Sequence, residues 1–392
     1  MVSKLLQYAL PVMFMLMILE VWISHTRKLY LYSFADFFSN LSIGLLSQIF
    51  VPLTRLVRVG LYIWIYKYLA LIKWPTDKLI VWIIGLLLYD FMYYWQHRIM
   101  HTFNIFWAIH SVHHQSNHFN MSISLRQPVL GGLIAGIFYL PMALIGIPPI
   151  IFAVVSTIDL LYQYCLHTQL IGKLKYFDRI IATPSNHRVH HGVNSKYINK
   201  NFGGMLIIWD RFFGTFAEED IKINTRFGTH KPLVNYNPIW ANLHGFIILF
   251  NFKSIENFKE IILKKIFKKR SKNVKIWLPC SNCLKKQTYF YISVQFVVLI
   301  ALMGSALFYK LINNINLYLF IFVWTIVTLC CLTNLLDQQL KGFWWEIIRI
   351  STLLFICGVM IFINMWFVHA VIIFLISLIS IVWLSKILFY EK

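Results

Sequence analysis

Long apolar runs separated by short polar clusters set the rhythm of this chain. Residues 5–23 form the first run, and the polar cluster His25-Thr26-Arg27-Lys28 stops it. Residues 41–72 form the second, interrupted by Pro52, Arg55 and Arg58; it reads as one tilted span with a polar kink or as a re-entrant pair. Residues 79–95 form the third. Residues 129–147 and 150–166 make a hairpin turned at Gly146-Ile147-Pro148-Pro149, and four further runs (289–309, 317–335, 347–367 and 368–388) close the chain. A helix of about twenty apolar residues spans a bilayer, and in lipid a lone segment satisfies its own backbone groups only as a helix. The pattern therefore predicts an all-α, polytopic integral membrane protein with about nine transmembrane helices. Residues 244–252 are apolar but too short to cross, and are expected at the interface. The first run is expected to be retained, because no small-residue cleavage motif follows it.

Composition supports the membrane reading. The chain is 59% hydrophobic and only 13% charged, with a mean hydropathy of +0.65, whereas soluble domains carry about 25% charged residues. The net charge of +21 does not point to nucleic acid, because no basic domain stands apart from the spans. Much of the excess falls in residues 253–286, as expected of a juxtamembrane loop on the cytoplasmic side. Cys280 and Cys283 form a lone CxxC there, without the second ligand pair a structural zinc needs. The expected organisation is residues 1–78 as N-terminal transmembrane helices, 79–250 as the catalytic region, 251–286 as a basic cytoplasmic loop, and 287–392 as a C-terminal four-helix membrane region.

Chemistry concentrates in three polar clusters. Eight of the 14 histidines lie at His97 and His101, at His110, His113 and His114, and at His187, His190 and His191. On a helix, a spacing of four puts both rings on one face, one turn apart. A neutral imidazole nitrogen is the commonest protein metal ligand. Eight imidazoles exceed one coordination shell, so two metals is the economical count. No cysteine lies within the clusters, and an all-nitrogen shell with open positions suits iron and oxygen chemistry, although imidazole alone leaves zinc, copper and nickel open. If 41–72 crosses once, all three clusters and His167 fall on the cytoplasmic side, together with the basic loop. Oxygen activation at a bilayer surface implies a lipid substrate arriving laterally from the membrane.

The segment Asp90-Phe91-Met92-Tyr93-Tyr94-Trp95-Gln96-His97-Arg98, the HxxxH and both HxxHH boxes resemble the fatty acid hydroxylase/sterol desaturase superfamily. The alkylglycerol monooxygenase branch is the closer match. It is carried by Trp107 to His110, Asn120 to Gln127, Leu161 to Thr168, Thr183 to Gly192 and Ile207 to Phe216. The resemblance implies a membrane-embedded non-haem di-iron monooxygenase that hydroxylates the ether-linked carbon of alkylglycerols. Tetrahydrobiopterin would be the reductant, and the product would break down to an aldehyde. By motif match it implies the eight box histidines as metal ligands, with His167 as a ninth. Two sites depart from animal members of the branch: this chain has Thr102 where they carry an acidic residue, and Asn117-His118 where they carry an acidic pair.

The expected partners are a membrane lipid, dioxygen and an unidentified electron donor. Alternatives are a sterol, fatty-acyl or carotenoid hydroxylase or desaturase, and a non-catalytic metal-handling membrane protein. Among the acids, Asp90 shares a helical face with His97 and either holds an imidazole or pairs with an arginine such as Arg98 or Arg126. Asp159 and Glu20 lie within apolar spans, where an acid is usually functional or paired; Asp159 is a candidate for lining the substrate route. His25, His118, His230, His244 and His369 read as ordinary structural or loop residues.

Overall fold

The computed structural model describes residues 2–233, 235–250, 286–308, 315–337, 340–362 and 367–390. Almost all of the expected basic loop, with Cys280 and Cys283, lies outside the described residues. Within them the regular structure is helical, with one isolated bridge between Ile181 and Leu206. The chain divides into two compact units. One runs to Leu233 and resumes at Ala241; the other takes the short segment ending at Trp240 and the helices from Lys286 onward.

The first unit opens with α1 (Val2–Thr26) and α2 (Phe34–Tyr68). The latter is one continuous helix of 35 residues with Pro52 inside it, so the stretch that the pattern left open is not a re-entrant pair. At 1.5 Å per residue it is about 50 Å long, well beyond the roughly 30 Å of a hydrocarbon core. Its two halves face different surroundings. Asp36 to Ile49 includes ten buried residues, whereas Leu53, Leu56 and Val57 are exposed as lipid-facing positions would be.

Next, α3 (Leu79–Thr102) runs seven residues past the expected end of its span, so His97 and His101 belong to a membrane helix. A short helix, α4 (Asn104–His114), follows at once, then a 3-10 turn at Met121–Leu125. The expected span at 129–147 is broken into α5 (Gly131–Phe138) and α6 (Leu140–Ile145), neither long enough to cross. Pro141 sits in the first turn of α6; lacking an N–H, it cannot continue the ladder of α5. The unit continues with α7 (Pro149–Leu166), α8 (Pro184–His191) and α9 (Ile208–Phe212); α10 (Pro238–Phe250) is apolar and short. A buried apolar core built from Tyr62, Val81, Tyr89, Met142, Ile147 and Ile151 packs α2, α3, α6 and α7 together. Gly44 lets α2 meet the 3-10 turn, because a Cβ there would lie 2.5 Å from the Leu125 carbonyl oxygen.

The second unit contains α11 (Lys286–Phe308), α12 (Ile315–Leu336), α13 (Leu340–Phe362) and α14 (Phe367–Tyr390). It buries an ion pair that the apolar pattern did not reveal: Arg349 donates from Nη2 to Glu346 at 2.6 Å and to Gln295 at 2.8 Å. By length and composition, seven helices among the described residues suffice to cross a membrane: α1, α2, α3, α7, α11, α12 and α13. The apolar part of α14 is shorter, and the α5–α6 segment accounts for the other missing span of the nine expected.

Candidate metal centre

Four helix ends bring the nine predicted histidines together. His97 and His101 lie one turn apart at the end of α3. The chain breaks at Phe103, and α4 presents His110, His113 and His114 from its last two turns. His167 is the C-cap of α7. His187, His190 and His191 fill α8, an eight-residue helix that would be marginal in isolation. A capping box sets its start: Asn186 Oδ1 accepts from the Thr183 N–H, while Thr183 Oγ1 accepts from the Asn186 N–H. Pro184 occupies the first turn, where its missing donor costs nothing.

The nine rings fall into two groups with no shared member. His97, His101, His110, His114 and His190 form one; His113, His167, His187 and His191 form the other, and within each group the donor atoms lie within 4.8 Å of one another. The two HxxHH boxes are used reciprocally. Each gives its i, i+4 pair to one group and its middle histidine to the other, so the third box returns what the second supplies. The rings of His114 and His191, one from each group, stack with centroids 4.2 Å apart.

The donor chemistry fits metal cations. Four rings are held by the same device, an Nδ1–H donated to a backbone carbonyl: His97 to Phe202 at 3.0 Å, His113 to Arg126 at 3.1 Å, His167 to Gln163 at 2.8 Å and His190 to Lys200 at 3.1 Å. A neutral imidazole has only one N–H, so each Nε2 of these four is left as a lone pair. Yet His113 and His167 set those atoms 3.2 Å apart. Two acceptors at that distance repel unless a cation lies between them or one ring is protonated. Burial opposes protonation: it pushes His113 down to about 4, and burial with the neighbouring imidazoles holds His114, His167, His187, His190 and His191 well below 6.5. His190 Nε2 is buried with no hydrogen-bond partner. The other close Nε2 pairs span 3.0 to 3.3 Å. Adjacent ligands on metal–nitrogen bonds of about 2.1 Å stand roughly 3.0 to 3.4 Å apart.

Residues outside the histidine boxes hold the rings in place. Arg126 is fully buried; it donates to the Val112 carbonyl, Asn40, Ser39 and Gln115, while its own carbonyl fixes His113. Asp210 accepts from the N–H groups of Phe202 and Gly203 and from Thr215, so it fixes the strap whose Phe202 carbonyl holds His97. Asp90 corrects the expectation: it pairs with neither an imidazole nor an arginine. It accepts from Met205, Leu206 and the Trp209 indole, gripping the same strap two residues further on. Glu20, buried in α1, accepts from Tyr32, from Thr168 beside His167, and from the Met121 N–H. Arg188 anchors α8 from outside through a bidentate pair with Glu219, both contacts at 2.7 Å. The Thr183–Asn186 cap was legible as a T-P-x-N signature. Arg126, Asp210, Asp90 and Arg188 lie within the quoted family segments and Glu20 does not, but no local pattern assigned their partners.

A compact helical region with nine clustered imidazoles at the ends of membrane-length helices defines a class. Residues 82–215, which contain all nine, match the family model "Fatty acid hydroxylase". Among curated relatives, the alkylglycerol monooxygenase of Danio rerio is 43% identical over 206 residues, covering 53% of this chain and 45% of that protein. The alkylglycerol monooxygenase of Homo sapiens is 42% identical over 209 residues, covering 53% of this chain and 46% of its own length. The ornithine lipid hydroxylase of Rhizobium tropici is 28% identical over 164 residues, covering 40% and 47%. The chain thus spans about half the length of the curated relatives it matches. No solved structure matches.

Proposed function

We propose that this chain is a multi-pass membrane monooxygenase that hydroxylates the ether-linked carbon of an alkylglycerol. His97, His101, His110, His114 and His190 would hold one iron ion, and His113, His167, His187 and His191 a second. The observation that carries the reading is the pair of buried imidazole groups, in which His113 and His167 turn bare Nε2 lone pairs toward each other at 3.2 Å. Iron, when bound, supplies the dioxygen reduction and C–H activation that side chains cannot perform.

In the reaction, one oxygen atom enters the C–H bond beside the ether oxygen. The other leaves as water, with two electrons and two protons from an external donor. The hemiacetal then breaks its C–O bond to give an aldehyde and free glycerol. The protein's own residues hold the centre rigid for this. Backbone carbonyls orient four rings, Asp90 and Asp210 fix the strap behind His97, and burial keeps the donor nitrogens unprotonated. In this reading residues 79–250 are the catalytic region and the centre faces the cytoplasm, as the positive-inside rule suggests for the basic stretch near 253–286. Tetrahydrobiopterin is the proposed reductant.

The test supplies the purified, iron-loaded full chain with 1-O-alkylglycerol and, in parallel, with a sterol and a fatty-acyl lipid. Each is tried with tetrahydrobiopterin and with a ferredoxin- or cytochrome-type donor. Aldehyde release from alkylglycerol alone is the expected result. Sterol or acyl hydroxylation in its place would overturn the substrate, and bound iron without product from any lipid would overturn the enzyme reading.

A further inference from the structure

Two short segments outside the candidate spans are held at the depth of the spans. The strap that follows Phe202 runs into α9, and both are fastened to the flank of α3. Asp90 accepts from the Met205 N–H at 2.6 Å and from the Trp209 indole at 2.8 Å. The Phe91 ring meets Trp209 with centroids 5.0 Å apart, and Trp95 meets Phe213 at 5.0 Å as well. At 1.5 Å per residue, Phe91 and Trp95 lie roughly 16 and 10 Å short of the end of α3. Leu87 shares their stripe of the helix and is exposed, as a lipid-facing residue is. The turn at Phe177–Arg179 is tied in beside α9. The Ile207 N–H donates to the Ile180 carbonyl, and Arg211 donates to the Arg179 carbonyl. Tyr162, one turn before the end of α7, donates to the Ala182 carbonyl at 2.6 Å.

At that level both segments turn apolar side chains outward. Tyr176 is 80% exposed, Phe177 61%, Ile180 56% and Phe212 78%. Scattered exposed apolar residues are ordinary, but four on two segments joined by hydrogen bonds make a patch, and patches mark interaction surfaces. Cations surround it: Lys173, Lys175, Arg179 and Arg211 are all exposed. The acids within residues 171–213, Asp178 and Asp210, are both buried and accept hydrogen bonds inside the fold. Glu218 meets Lys173 and Arg179 only at 3.6 and 3.4 Å, exposed contacts of small worth. Aromatic and aliphatic side chains at the acyl boundary, with Lys and Arg at the phosphates, are how a segment lies in a membrane interface. The leaflet on the proposed cytoplasmic side is anionic.

We propose that residues 173–180 and 211–213 form an interfacial lip. It inserts Tyr176, Phe177, Ile180 and Phe212 into the bilayer and sets Lys173, Lys175, Arg179 and Arg211 against anionic phospholipid phosphates. The strap whose Phe202 carbonyl holds His97 carries this lip at its far end.

The test places a fluorescent amino acid in the full chain at Phe212, at Tyr176 or, as a water-facing reference, at Lys196, which is exposed and paired with Asp220 at 3.0 Å. Each protein is reconstituted in phosphatidylcholine vesicles containing a trace of phosphatidylcholine or phosphatidylserine with a nitroxide on the acyl chain. Probes at 212 and 176 should lose most of their emission to the labelled lipids and keep it against aqueous iodide. The probe at 196 should do the reverse. Labelled phosphatidylserine should quench position 212 about fivefold more effectively than labelled phosphatidylcholine, the worth of one cation near an anionic surface. Arg179→Gln with Arg211→Gln should abolish that preference while quenching by phosphatidylcholine and iron content stay unchanged. Probes at 212 and 176 that iodide quenches and lipid does not would place the patch in water, as a site for a protein partner, and overturn the lip. Equal quenching by the two lipids in the otherwise wild-type chain would overturn the phosphate contacts.

Discussion

Both units bury polar side chains among apolar helices, but they close their polar clusters in opposite ways. In the second unit the network is self-sufficient. Arg349 donates to Glu346 and Gln295, Tyr291 donates to Glu346 at 2.7 Å, and Gln295 Nε2 donates to Ser380 at 2.7 Å. The space beside it, lined by Gln295, Thr328 and Arg349, holds about one water-sized molecule. In the first unit the ring nitrogens are turned inward at one another: the Nε2 atoms of His113 and His167 face each other at 3.2 Å, and Nε2 of His190 has no hydrogen-bond partner. A closed network is a device of structure, whereas an open one of identical donors is a place for a guest. Membrane burial of polar residues is therefore not in itself a functional signal; the unpaired atoms are.

The largest effect that breaks or keeps this contrast is the removal of one ring from either group. His113→Ala and His190→Ala should each lower aldehyde formation at least a hundredfold, with protein-bound iron falling by about half or more. Removing a ligand takes away metal affinity and transition-state chemistry together. The double substitution Glu346→Leu with Arg349→Leu should leave iron at the wild-type level. Metal analysis of the three detergent-purified proteins decides, and full iron with full activity in either histidine variant would remove the basis for treating the groups differently.

Next in size is the asymmetry inside the second unit. Arg349→Leu alone strands a buried carboxylate and should destabilise that unit by about 3–5 kcal/mol, whereas the Leu/Leu double change should recover most of the loss. Denaturant unfolding monitored from Trp324, which the Arg349 guanidinium approaches to 5.9 Å, reads this directly. A double variant as unstable as the single one would mean that the cluster is not closed.

How far the first unit was legible follows from the same distinction. Histidine spacing within single helices showed which rings share a face, so the pairs 97/101, 110/114 and 187/191 could be anticipated from periodicity alone. The exchange of His113 and His190 between groups could not, because it depends on how α4 and α8 face each other. Arg126 and Asp210 bind across 86 and 8 residues respectively, and a partner at such distances leaves no periodic trace. The break at Tyr139–Pro141 was present in the letters, but hydropathy averages over a single proline. Asp90 was picked out for the right helix and the wrong partner. A shared face with His97 says where a carboxylate points along one helix and nothing about the loop that comes to meet it.

A pH titration of metal-free protein sharpens the comparison further. His113 falls from 6.5 to about 4 through burial. The folded chain therefore binds fewer protons than the unfolded chain between those values. Stability is fully present above 6.5 and is lost as pH falls toward 4, by roughly 3 kcal/mol for a shift of that size. Five other histidines of the two groups are lowered and act in the same direction. Melting temperature against pH should therefore drop across this window in the first unit, and a flat profile would show that the rings are not buried and neutral.

The smallest expected effect tests whether a guest holds the first unit together. Thr183→Ala removes the cap of α8 and should cost about 1 kcal/mol. That helix carries three of the nine rings, so in metal-free protein the loss should appear as faster amide exchange over residues 184–191. Bound metal ties His187 and His191 to His113 and His167, and His190 to His97, which resists the same fraying because ligands that bind only the folded state stabilise it. Thr183→Ala should then be visible without metal and nearly silent with it, while Thr183→Ser is silent in both. No substitution in the Glu346–Arg349 network should respond to metal at all. Equal exchange rates in loaded and metal-free Thr183→Ala protein would mean that the two histidine groups are as closed as the ion pair, and that the lone pairs facing one another in the structure are not waiting for a cation.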